Sequence, residues 1–233
     1  MTSQKPMSRD FDDALRDTSQ SAIRDAINSA KPPVSFTATP YQWTDARKIP
    51  PREWLYGNIW LRRSVGLVVA PGGAGKTALL VGHALALATG KPIMGRPFGG
   101  GPRRVWLWNL EDGSDELARL VQAAALHHGL IAADFGGRLF IDSGLDGQNF
   151  KLAEFAERNS AKILKPVAKA LIAELHSRKI DVLILDPFVS THSVNENDNA
   201  QIDLIIKEWS RIAVAANCAI VIAHHPAKAA SRS

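Results

Sequence analysis

From Val65 onward, short uninterrupted apolar runs alternate with longer segments of helical periodicity. The runs Val65–Val69, Arg104–Asn109, Leu139–Asp142, Val182–Leu185 and Ala219–Ala223 predict strands. They lack an apolar/polar alternation, which predicts burial on both faces. Between them, Thr77–Thr89, Asp115–His128, Lys165–Lys179 and Ala200–Ala216 predict helices. Pro166 falls in a first turn, where its missing N–H is harmless. Gly90 and Asn217 suit helix ends. Ser114 marks a helix start, and Asp115 and Glu116 suit its first turn. Strand–helix alternation of this kind predicts an α/β fold, a mainly parallel central sheet with helices on both faces. The Gly/Pro-rich stretch Lys91–Pro102 predicts a turn or small hairpin outside that sheet. There is no internal repeat.

Residues 1–50 read differently. Met1–Asp10 is polar. Phe11–Ala30 predicts a short amphipathic helix with Phe11, Ala14, Leu15, Ala22, Ile23, Ala26 and Ile27 on its apolar side, stopped by Lys31-Pro32-Pro33. A linker runs through Pro40, and Ile49–Gly57 is a Trp-bearing lead-in. The division is an N-terminal arm over 1–50 and a core over 51–233. The arm reads equally as a loose tail or as an element that packs on a neighbouring subunit.

With 45% hydrophobic and 22% charged residues in 233, the composition is that of a globular chain with one sizeable core. The net charge of +5 gathers in Arg47–Arg63 and Arg96–Arg104. This suits a nucleic-acid-facing surface and a solvated basic surface equally. Cys218 is the only cysteine, which excludes an internal disulfide and points to the cytoplasm. It reads as a core residue. No apolar run has membrane length, so no membrane partner is expected.

Ala70-Pro71-Gly72-Gly73-Ala74-Gly75-Lys76-Thr77, followed by Ala78, stands between an apolar strand and an apolar helix. That is the setting of a phosphate-binding P-loop. Glycines let backbone N–H groups converge on phosphate oxygens, and the helix start adds a partial positive charge. Lys76 would reach the β- and γ-phosphates of a nucleoside triphosphate, and the Thr77 hydroxyl would ligate Mg²⁺. Ala70 stands where the pattern has its first glycine, which alanine can replace at negative φ.

Three more strand tips carry polar chemistry. Val182–Leu185 ends in Asp186, a candidate second metal-site residue. Arg104–Asn109 runs into Leu110-Glu111-Asp112; Glu111 is the candidate that activates water, and Asp112 is the alternative base or a helix cap. Ile220–Ala223 ends in His224 and His225, either of which can hydrogen-bond a γ-phosphate. Adjacent histidines on a strand point to opposite faces, which disfavours zinc. Lys228 is a further candidate phosphate or nucleic-acid contact. The polar segment Pro187–Asn199 predicts a long loop leaving the sheet near the phosphates. His83, His127, His128 and His176 lie in helical patterns and read as structural or exposed. Trp106, Trp108 and Trp209 read as packing residues.

Taken in order, these elements resemble the RecA-like ATPases. Within that group they resemble the AAA-domain family that includes the RepA-type hexameric replicative helicase of plasmids. The resemblance covers about Trp54 to Lys228. It rests on Trp54-Leu55-Tyr56-Gly57, Ala70 to Thr77, Thr89-Gly90-Lys91-Pro92 with Gly95-Arg96-Pro97, Leu110-Glu111-Asp112, Leu185-Asp186-Pro187, Glu196-Asn197-Asp198-Asn199 and His224-His225. It implies that Lys76 and Thr77 bind ATP and Mg²⁺, that Asp186 completes the metal site, that Glu111 activates water and that His224 or His225 senses the γ-phosphate. It also implies a homo-oligomeric ring, a hexamer, and single-stranded DNA as partner. The family continues past the paired histidines with strands bearing an arginine for the neighbour's site. The sequence stops at Ser233, so a truncated product with poor hydrolysis is expected. Nothing in the pattern of Arg62, Arg63 or Arg211 makes any of them a substitute.

Two functions remain open on these grounds. One is an ATP-driven DNA motor for replication of a plasmid, phage or mobile element. The other is an ATP-dependent regulatory or recruitment module without unwinding activity. A small-molecule kinase is disfavoured because no lid of clustered arginines is present.

Overall fold

The structure is a computed structural model that describes residues 36–95, 101–147, 149–156 and 160–225. The helix expected over Phe11–Ala30, the middle of the Gly/Pro stretch and Lys228 lie outside the described residues. The chain divides into two compact units, Met1–Ile49 and Pro50–Ser233. In the first, residues 36–49 are mostly irregular, with one 3₁₀ turn at Ala46–Lys48 capped by the Asp45 carboxylate.

The second unit opens with a hairpin, β1 (Trp54–Tyr56) and β2 (Trp60–Leu61). Then come β3 (Val65–Val69), α1 (Lys76–Thr89), β4 (Val105–Asn109), α2 (Ser114–His127), the single turn α3 (Ala132–Phe135) and β5 (Leu139–Ser143). A second hairpin, β6 (Ala153–Ala156) and β7 (Ser160–Ile163), precedes α4 (Lys165–Ser177), β8 (Val182–Asp186), α5 (Asn199–Ala215) and β9 (Ala219–His224). The central sheet has five parallel strands in the order β3-β9-β8-β4-β5.

Alternate residues of the middle strands feed two cores. Leu107, Ile184 and Val221 face α1 and α2, whereas Trp108, Leu183 and Ile222 face α4 and α5. Every residue of β4 and β8 is buried. The expectation of two-sided burial fails for β3 and β5. Leu67 and Val69 are 57% and 54% exposed, because β3 pairs only with β9 among the described strands. β5, at the opposite edge, is half-buried over four of its five residues.

Helix ends follow their local chemistry. Gly90 closes α1 at φ 73°, and Asn217, just past α5, has φ 52°. Pro166 sits in the first turn of α4. Ser114 is the first helical residue of α2 and not its cap; Gly113 holds that place, and the Ser114 N–H donates to the Asp146 carboxylate at 2.7 Å. Trp106, Trp108 and Trp209 pack as expected. Trp106 and Trp108 stack at 4.7 Å, and Phe150 bridges Trp108 to Trp209 at 4.5 and 6.2 Å. Cys218 is buried, and that burial pushes its thiol up to about 12.

The segment after β8 is not a free loop. Phe188–Thr191 forms a 3₁₀ turn, and Phe188, Thr191, His192 and Val194 are buried. His192 makes a parallel bridge to Ala153, tying the segment to the β6–β7 hairpin. Val189 and Ser193 are exposed along it, and Asn195–Asn197 form a continuous exposed run before Asp198 caps α5 through bonds from the Ala200 and Gln201 N–H groups.

Candidate functional site

In a parallel sheet all strand tips share one edge. The sheet order sets β9 beside β3, β8 beside β9 and β4 beside β8. The tips therefore line up as Val69, His224, Asp186 and Asn109.

The loop after β3 turns through Gly73 and Gly75, at φ 75° and 82°, where a side chain would strain the backbone. Ala70 is not among the non-glycine residues with positive φ, so alanine serves there. Gly75 caps α1 without a side chain, leaving the first N–H groups of that helix directed toward the loop. A Cβ at Gly72, Gly73 or Gly75 would meet no atom within 4 Å beyond its chain neighbours, so open space adjoins each of these positions.

Lys76 is only 5% exposed. Its ammonium donates to the carbonyls of Ala70 at 2.6 Å and Pro71 at 2.9 Å, and lies 2.8 Å from His225 Nδ1. The Thr77 hydroxyl donates to Asp186 Oδ2 at 2.6 Å. Burial lifts the Asp186 carboxyl above its ordinary value, against the opposing effects of the Thr77 bond and the Lys76 ammonium. Thr77 and Asp186 thus offer two adjacent oxygen donors on separate elements, the ligand chemistry of a hard cation such as Mg²⁺. No group of three or more His, Cys, Asp or Glu side chains is placed to hold a metal ion among the described residues.

Glu111 and Asp112 lie on the turn beyond β4. The Leu110 N–H donates to the Asp186 carbonyl at 2.7 Å, which docks that turn on the tip of β8. Asn109, which sequence reasoning passed over, shapes it. Its buried Oδ1 accepts from the N–H groups of Glu111 at 2.8 Å and Asp112 at 2.7 Å. Its Nδ2 donates to Asp112 Oδ2 at 2.9 Å. Asp112 is therefore not the cap of α2, and the Glu111 side chain is the one left exposed. The available signal was an amide closing an apolar strand two residues before an acid, the pattern of an Asx turn.

The two histidines diverge. His225 meets Lys76, whereas His224 lies 3.6 Å from Glu196 and 6.0 Å, ring to ring, from Phe188. The helical histidines are structural or remote: His83 packs 4.9 Å from Tyr56 and 5.4 Å from Trp60, and His176 bonds the Ala215 carbonyl. Three arginines are held within the chain, Arg62 by Asp181, Arg63 by Glu53 and Arg211 by Glu208.

No helix among the described residues is long and apolar enough to cross a membrane. No curated protein matches the chain significantly. A family model described as an AAA domain matches residues 30–231, most of the sequence. With the five-stranded parallel sheet and the loop geometry, this match implies nucleotide binding and ATPase chemistry in general. The chain belongs to the AAA-domain family of P-loop ATPases.

Proposed function

We propose that the protein is an ATP-hydrolysing RecA-like motor domain that acts on single-stranded DNA as a homo-oligomeric ring, a hexamer, in the replication of a plasmid, phage or mobile element. The reading places it in the cytoplasm. The observation that carries it is the 2.6 Å bond from Thr77 to Asp186, which joins the start of the loop helix to the tip of β8. In this reading residues 70–78 cradle the phosphates, Lys76 offsets the β- and γ-charges, and Thr77 and Asp186 hold Mg²⁺. When bound, Mg²⁺ would offset negative charge on the phosphates. Glu111 orients the attacking water from the turn docked on β8. His224 and His225 report the γ-phosphate. The arm over 1–50 is an appendage to the core over 51–233.

The DNA partner rests on the resemblance carried by the paired-histidine and acidic-turn motifs, with which the net charge of +5 is compatible. The test is phosphate release with and without single-stranded DNA. Stimulation several-fold or more is expected. Equal rates would overturn the motor reading while leaving nucleotide binding intact.

A further inference from the structure

An ammonium has three N–H bonds and no lone pair. The three acceptors around Lys76 Nζ, the Ala70 carbonyl, the Pro71 carbonyl and His225 Nδ1, lie at 2.6, 2.9 and 2.8 Å. Each N–H is committed. Because lysine can only donate, this contact uses the lone pair of His225 Nδ1.

We propose that His225 is a latch on the P-loop lysine, displaced when nucleotide phosphate takes its place on Nζ. This deepens the nucleotide-binding reading and rests on it. A phosphate oxygen that accepts from Lys76 must take over one of the three positions. Two belong to the loop's own backbone, fixed within six residues of the lysine. The third comes from 149 residues away in sequence and lies just past the end of β9 at His224. It can leave without breaking a strand hydrogen bond. The next residue back, His224, faces Glu196 in the exposed run before α5. The residue that meets Lys76 and the residue that faces Glu196 are therefore neighbours at one strand end.

The latch competes with ligand, so removing it tightens binding of a nucleotide that lacks a γ-phosphate. A hydrogen bond to a charged group corresponds to roughly 10-fold in an equilibrium constant. ADP binding by calorimetry is expected to be about 10-fold tighter in His225→Ala than in the unsubstituted protein. His225→Asn, which keeps an acceptor near the Nδ1 position, is expected to restore the original affinity. In ¹⁵N-histidine spectra, ADP is expected to move the His225 Nδ1 resonance, identified by its loss in His225→Ala. Equal or weaker ADP binding by His225→Ala, or an Nδ1 resonance unmoved at ADP saturation, would overturn the latch alone. Failure of the unsubstituted protein to bind ADP would overturn the nucleotide reading and the latch together.

Discussion

His192 gives the fold a calculable weakness toward acid. It is 3% exposed and packs edge-on against Phe188, with ring centroids 4.6 Å apart. Burial, reinforced by the nearby Lys151 charge, pushes its pKa down from 6.5 to about 4. The neutral ring is thus favoured in the folded chain more than in the unfolded one. The associated stability is fully present above the unfolded value of 6.5 and is lost as pH falls from there toward 4. The slope in that window is about 1.4 kcal/mol per pH unit. Integrating between pH 8 and pH 5 gives a loss of about 2 kcal/mol from this one group. The perturbation is His192→Leu, which stays neutral at every pH. Urea unfolding followed by tryptophan fluorescence at both pH values measures it. Carboxylates contribute alike to both proteins, so the difference between their pH responses isolates His192. The unsubstituted protein is expected to lose about 2 kcal/mol more than the variant over that interval. Identical pH responses would refute the claim that this ring is buried neutral. The claim matters because the segment it anchors begins just after Asp186.

Other substitutions separate the roles assigned around the sheet tips. Lys76→Ala removes the cation beneath the loop and is expected to weaken nucleotide binding at least about 10-fold by calorimetry. Glu111→Gln should leave that binding unchanged and lower phosphate release by about 100-fold or more, and retained turnover would mean another group activates the water. Gly144→Ala would set a Cβ 2.9 Å from the Leu110 Cα and 2.8 Å from its Cδ2, forcing the acid turn outward. The expected cost is about 1–3 kcal/mol in urea unfolding, with slowed phosphate release. Asp198→Ala leaves the first N–H groups of α5 without their cap and should cost about 1 kcal/mol in the same unfolding assay.

What was legible in the sequence was whatever local chemistry encodes. Apolar runs located five strands to within a residue or two, because Val, Ile and Leu between helical segments have no other place to be buried. Gly90, Asn217 and Pro166 were legible because each answers a backbone requirement at its own position. Strand order was not legible. Val65–Val69 reads as apolar as Val182–Leu185, yet it lies at an edge with Leu67 and Val69 exposed. The β6–β7 hairpin was missed because Glu154 and Lys162 break its apolar content; β7 packs on α5, and Ala153 bridges to His192 beyond the 3₁₀ turn. The polar letters of Pro187–Asn199 suggested a free loop, but five of its residues are buried by tertiary contacts that no local pattern records.

The same sheet order explains the site. Neighbouring strands lie about 4.8 Å apart, so with β9 between them the tips of β3 and β8 stand roughly 10 Å apart. Thr77 and Asp186 nevertheless bond at 2.6 Å, 109 residues apart in sequence. The loop after β3 must therefore cross above the tip of β9 to bring the start of α1 over β8. The Ala70 N–H, which donates to the His224 carbonyl at 3.4 Å, marks where that crossing begins. A strand whose tip is roofed by the loop has to stop there, and β9 stops at His224. The next residue then meets the loop lysine, and it is His225. Contact between Lys76 and His225 thus follows from the position of β9 in the sheet.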